Sequence, residues 1–183
     1  MTNANLYTLF QQRSPTDADA LFLDSIDGRL LRYSEIPPRS GQMLSLLQQL
    51  GVKKGDRVVV QVDKSIEAVL LYLACLRAGA IYIPLNTAYT PAEVGYFLGD
   101  ATPQLFVCTP TKKAELETIA KDCGVPWVMS LGGAAEGELI DALESQPASD
   151  EVVQVEADEL ASILYTSGTT GRSKGAMLSH ANL

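Results

Sequence analysis

Between residues 57 and 130 the chain alternates short β-branched or apolar runs with stretches of helical periodicity, at a spacing that suits only tightly connected βαβ units. Residues 57–62, 81–85, 105–108 and 126–130 read as strands, and a fifth follows at 161–166. Residues 65–78 form a helix that is apolar on nearly every side, with Arg77 in its last turn and Gly79 after it, as expected of a helix buried between layers. Thr90-Pro91-Ala92-Glu93 is a complete helix start, with Thr90 as N-cap, Pro91 at N1 and Glu93 at N3. The helix it opens presents Val94, Phe97 and Leu98 on one face. Residues 112–123 carry Leu116, Ile119, Ala120 and Cys123 at i, i+3, i+4 and i+7. Crossovers between parallel strands are almost always right-handed and cover the sheet. The predicted fold class is therefore α/β: βαβ units building a mainly parallel sheet with helices on both faces.

A small β-hairpin precedes this region. Residues 20–24 and 29–33 flank Ser25-Ile26-Asp27-Gly28, and Asp-Gly is a turn dipeptide. Residues 6–12 read as a short helix. A second helix covers much of 34–50 and stops at Gly51; Pro37 and Pro38 place its regular part from about Arg39. Residues 132–137 are loop, 139–143 a short helix at most, and 145–156 a polar, acidic surface connection. The expected organisation is 1–55 as helix, hairpin and helix, 56–160 as the parallel βαβ subdomain, and 161–183 as a strand, a loop and the start of a truncated helix at Ser179-His180.

Charge and composition exclude several classes of function. Asp plus Glu outnumber Lys plus Arg by 22 to 14, for a net charge of -8. That balance argues against nucleic acid or an anionic membrane as a partner, though not against a small anion held locally. Cys75, Cys108 and Cys123 are widely spaced in apolar stretches, the setting of buried free thiols rather than of a disulfide framework or a zinc site. His180 is the single histidine, which removes multi-histidine metal sites and an embedded Ser-His-Asp triad. It reads as structural or solvent-facing. No basic region precedes an apolar run at the N-terminus, and the longest apolar stretch, 68–76, is too short for a bilayer. A cytoplasmic location is expected. Trp127 and the tyrosines Tyr72, Tyr82, Tyr89 and Tyr96 read as packing residues, Lys53-Lys54 and Asp158-Glu159 as surface charge.

One segment carries chemistry. After the fifth strand, Thr166-Ser167-Gly168-Thr169-Thr170-Gly171-Arg172-Ser173-Lys174-Gly175 holds three glycines, five hydroxyls and two cations, with no carboxylate. Glycines let backbone N–H groups approach a ligand, hydroxyls donate to phosphoryl oxygens, and Lys174 is a mobile point charge. The carboxyl end of a strand is where open α/β sheets bind ligands. Composition alone is equally compatible with a polar surface loop. The spacing fits neither the P-loop nor the Rossmann fingerprint, since Ser173 stands where a P-loop needs glycine and the glycines run G-x-x-G-x-x-x-G.

The order of residues from Tyr165 to Gly175 resembles the AMP-binding signature of adenylate-forming enzymes. Residues 51–58 and 76–86 resemble that family's early blocks. More narrowly, Leu85-Asn86-Thr87-Ala88-Tyr89-Thr90 and residues 171–180 are similar to malonyl-CoA synthetases; Pro37-Pro38 departs from the family's usual helix. The resemblance implies the N-terminal part of the adenylate-forming fold, in an ATP-dependent, AMP-forming acid–CoA ligase. It implies ATP with Mg²⁺, coenzyme A and a small carboxylic acid, malonate first, with acetate and longer monocarboxylates as competitors. Thr166, Ser167, Gly168, Thr169, Thr170, Gly171, Arg172, Ser173 and Lys174 would hold the ATP phosphates. No catalytic residue is expected here, because the family's ribose-binding Asp and adenylation lysine lie in segments that the 183 residues do not contain. These residues alone are expected to be inactive and to self-associate. The competing reading is a non-catalytic phosphate-binding or interaction module.

Overall fold

The computed structural model describes residues 3–166 and 173–183. Helix α1 (Leu6–Gln12) leads into the antiparallel hairpin β1 (Leu21–Asp24) and β2 (Leu30–Arg32). Helix α2 (Ile36–Gln49) is followed by β3 (Arg57–Gln61), α3 (Ile66–Ala78), β4 (Ile81–Pro84), α4 (Pro91–Ala101), β5 (Leu105–Cys108), α5 (Lys113–Asp122) and β6 (Trp127–Ser130). A short α6 (Glu138–Leu143) and a long connection reach β7 (Leu160–Thr166) and β8 (Lys174–Ser179). The second sheet has six strands in the order β6-β5-β3-β4-β7-β8. Its pairings are parallel except the last, β7 with β8.

The strand order reverses direction between β3 and β4, because α3 crosses on one face and α4 on the other. Leu71, Ala74, Cys75 and Ala78 of α3 join Leu44 and Leu47 of α2 and Leu139 of α6 over one face. Val94, Phe97 and Leu98 of α4 and Leu116 and Ala120 of α5 cover the other. The opposite side of α3, through Ile66, Leu70, Leu73 and Leu76, packs against Tyr7 and Leu31. This explains why α3 is apolar all round.

The local signals act as expected. Ser65 caps α3 by accepting from the Ala68 N–H, and Gly79 ends it in the left-handed region at φ 64°. The Thr90–Glu93 capping box is complete in both directions. The two prolines do not delay α2, which begins at Ile36 with both in its first turn, where no N–H partner is lost. Gly41 sits mid-helix against its propensity because a Cβ there would collide with the Ser149 backbone carbonyl.

Three further readings are corrected. Residues 174–179 form strand β8, and His180 follows in a turn instead of opening a helix. Lys-Gly-Ala-Met-Leu-Ser has no β-branched residue, so pairing with β7 overrides its weak strand propensity. Trp127 is 47% exposed, since β6 is an edge strand. The connection at 145–156 is largely exposed, as read, and its backbone is tied to the core through Arg77. Cys123 is only half-buried; Cys75 and Cys108 are buried, and burial raises both thiols, Cys108 to about 12.

Arg77 is 2% exposed and makes no ion pair among the described residues. Its Nη1 donates to Pro37 O and Ser40 Oγ at 2.9 Å each, its Nε to Glu151 O at 3.1 Å, and its Nη2 to Ser149 O. The guanidinium carbon lies 4.9 Å from the Tyr7 ring centroid. One side chain therefore joins α1, α2, α3 and the connection that delivers β7. Glu67 performs a similar task near the hairpin, accepting from Arg29 at 2.8 Å and from Arg39 at 3.1 Å.

Candidate functional site

The segment singled out by sequence begins at the carboxyl end of β7 and returns along β8. Thr166 and Lys174 are direct cross-strand partners. Opposed residues of an antiparallel pair share a face, so the hydroxyl and the ammonium start from the same side of the sheet. Ser173 immediately precedes β8. Ser167, Gly168, Thr169, Thr170, Gly171 and Arg172 lie outside the described residues.

Helix α4 holds both strand ends. The Tyr165 hydroxyl donates to Asp100 Oδ2 at 2.6 Å, and the Tyr96 hydroxyl donates to Ser173 O at 3.0 Å. Burial, and then the Asp100 carboxylate, raise the Tyr165 phenol, which stays a donor at neutral pH. Phe97, 1% exposed, sits among Tyr89, Tyr96 and Tyr165 with ring centroids 4.9, 5.4 and 4.6 Å away. Tyr89 and Tyr96 were legible as packing residues. The role of Asp100 was not, although it stands four residues after Tyr96 on the same helix stripe.

On the other face, a groove of about 600 Å³ runs along β4, β7 and β8. Tyr72, Tyr82, Pro84, Leu164 and Leu178 line it, with Lys64 at its rim. Strand alternation puts Thr166 and Lys174 on this face, beyond Leu164. Among the described residues no cluster of three or more His, Cys, Asp or Glu side chains could hold a metal ion. The donor set at the strand ends suits an anion instead. No helix among the described residues is long and apolar enough to cross a membrane.

A model of the AMP-binding enzymes matches residues 10–183. The chain belongs to the AMP-binding enzyme family. ATP-bound MatB from Rhodopseudomonas palustris superposes with a TM-score of 0.93 at 44% identity, covering 100% of this chain and 36% of MatB. The 4-coumarate–CoA ligase-like 2 protein of Arabidopsis thaliana is 32% identical over 96% of this chain and 33% of its own length. A 3-hydroxybenzoate–CoA/4-hydroxybenzoate–CoA ligase of Thauera aromatica is 35% identical over 85% and 31%. This AMP-binding chain thus spans about a third of the length of the relatives it matches, with a fold that superposes on that of MatB.

His180 belongs to the scaffold of this AMP-binding chain. It is 5% exposed, and its Nδ1 accepts from the Leu6 N–H at 3.2 Å. Burial lowers its pKa below the usual 6.5, with Lys54 adding to the effect and Glu159 opposing it. A proton on Nδ1 would remove the acceptor for Leu6. The unfolded chain then binds the proton more readily than the folded one, so stability is full above pH 6.5 and is lost as pH falls through the depressed value. Urea midpoints should fall between pH 7 and 5.5 in the wild type, and His180→Asn should flatten that slope. An unchanged slope in the variant would show that His180 does not set it.

Proposed function

We propose that these residues form the N-terminal part of an ATP-dependent, AMP-forming acid–CoA ligase, and that Thr166, Ser167, Gly168, Thr169, Thr170, Gly171, Arg172, Ser173 and Lys174 hold the phosphates of ATP. The observation that carries this is the pairing of Thr166 with Lys174 at the carboxyl end of β7, within the AMP-binding signature. ATP arrives as its Mg²⁺ complex. A carboxylate oxygen attacks the α-phosphorus, the bond to pyrophosphate breaks, and an acyl-adenylate forms. The coenzyme A sulfur then attacks the acyl carbon, and AMP leaves. In the first step an anion approaches an anion, and a clustered set of N–H donors, hydroxyls and one ammonium offsets that repulsion. The three-part division at residues 55 and 160 follows: the last part carries the phosphate contacts, and the βαβ part supports them.

Malonate is the proposed acid, on the strength of the sequence blocks around Asn86 and Arg172. A second carboxylate needs a cation to receive it. Comparing kcat/KM for malonate, methylmalonate, acetate and benzoate on the full-length protein tests this; the expected result is a clear preference for malonate. Preference for a monocarboxylate would overturn the substrate, and absence of AMP formation with every acid would overturn the activity and favour the non-catalytic module.

Alone, the 183 residues are proposed to be inactive and to self-associate through the groove, where the lining residues Leu183 and Leu164 are 50% and 39% exposed. Light scattering should show mass rising with concentration, and Leu164→Glu should return a monomer. A monomeric wild type at all concentrations would overturn this.

A further inference from the structure

We infer that Tyr96 and Asp100 of α4 are positioning residues for the ATP-phosphate site, an inference that rests on the reading proposed above. Two hydrogen bonds carry it. One holds the last turn of α4 to Tyr165, the residue before Thr166; the other holds Tyr96 to the carbonyl of Ser173, the residue before Lys174. Helix α4 therefore grips the chain on both sides of the segment at the residues adjoining the paired hydroxyl and ammonium.

The helix is itself well anchored for this. Its capping box fixes its start, and Val94, Phe97, Leu98 and Ala101 are buried in the sheet. The Tyr165 ring is set by three contacts. The Phe97 ring lies tilted against it at 4.6 Å, Asp100 takes its hydroxyl, and Gly175 lies opposite it. A Cβ at Gly175 would come within 2.7 Å of Ile163 Cγ2, so the glycine leaves room for Ile163 on the face that the Tyr165 ring shares. The two α4 bonds differ in kind. The carboxylate of Asp100 accepts a charge-assisted bond, while Tyr96 donates to a backbone carbonyl and so sets the peptide plane from which β8 starts.

Neither residue needs to touch ATP. Each acts through the strand ends, and a loosened end lowers the fraction of molecules in which Thr166 and Lys174 are correctly placed together. The effect should therefore fall on ATP and spare the carboxylic acid.

The test uses Tyr96→Phe and Asp100→Asn in the full-length enzyme, with carboxylate-dependent ATP–pyrophosphate exchange as readout. Both substitutions keep the ring or the side-chain shape, and melting temperatures should fall by less than about 4 °C. The expected result is an ATP KM raised roughly 3- to 10-fold per variant, as for loss of one hydrogen bond, with the carboxylate KM unchanged. Lys174→Ala is measured alongside. If Lys174→Ala impairs exchange and the two variants leave the ATP KM unchanged, the positioning role is overturned while the phosphate site stands. Equal changes in both KM values, or a fall in kcat that tracks the melting temperature, would also overturn it in favour of a purely structural role. If Lys174→Ala changes nothing, the phosphate reading fails first and the inference falls with it.

Discussion

Lys174→Ala in the full-length protein is expected to slow the proposed ATP–pyrophosphate exchange by roughly 10- to 150-fold, the loss of one charge-assisted hydrogen bond of about 1.5–3 kcal/mol. Lys174 opens β8 opposite Thr166, and it is exposed in the chain without ATP. Its charge is then screened by water, so its contribution arises when a polyphosphate displaces that water. The loss should fall more on the step that develops charge at the phosphates than on acid binding. Thr166→Val should cost less, since a neutral hydroxyl contributes about 0.5–1.5 kcal/mol. Unchanged exchange in Lys174→Ala would remove the residue from the site. Higher salt cannot mimic the substitution, because a bound, partly dehydrated ion pair is screened far less than a surface one.

Arg77→Met should destabilise the chain by about 3 kcal/mol or more, a large share of the 5–15 kcal/mol typical of a whole domain. Methionine nearly fills the volume and donates nothing. Pro37 O, Ser40 Oγ, Ser149 O and Glu151 O would lose their donor together. Each buried acceptor left unpaired costs about 1–3 kcal/mol, though relaxation and water keep the sum below four full penalties. Arg77→Lys should recover little, because a point charge cannot span acceptors on two elements at once. Urea denaturation measures both, as a lower midpoint with unchanged slope. A loss under about 1 kcal/mol in Arg77→Met would show that the four contacts are dispensable.

What the sequence disclosed depended on how local each signal was. Caps and periodicity lie within a few residues of one another, so α1, α3 and α5 were legible nearly to their ends and α4 at its start. The family was legible because its signature is long and ordered, from Tyr165 to Gly175. Strand β8 was hidden because its residues prefer no strand and acquire one only by pairing with β7. Arg77 looked like an ordinary last-turn cation, and nothing local shows that carbonyls 40 and 74 residues away converge on it. Asp100 was missed for the same reason, since its partner lies 65 residues downstream.

The attachment of β7 sets an order of assembly. Strands β3 to β6 are joined by short crossovers and can zip together within residues 57–130. Strands β7 and β8 form a hairpin whose pairing is also local. Among the described residues the two units are bridged at the pair Tyr82 and Ser162, where the Ser162 hydroxyl also donates to Tyr82 O at 2.7 Å. The two strands stand 80 residues apart in sequence, and once β3 to β6 are assembled the bridge closes a loop that runs from Ser130 to Leu160. The hairpin that bears the proposed phosphate contacts is therefore expected to dock after β3 to β6, covering the edge that β4 would otherwise leave open.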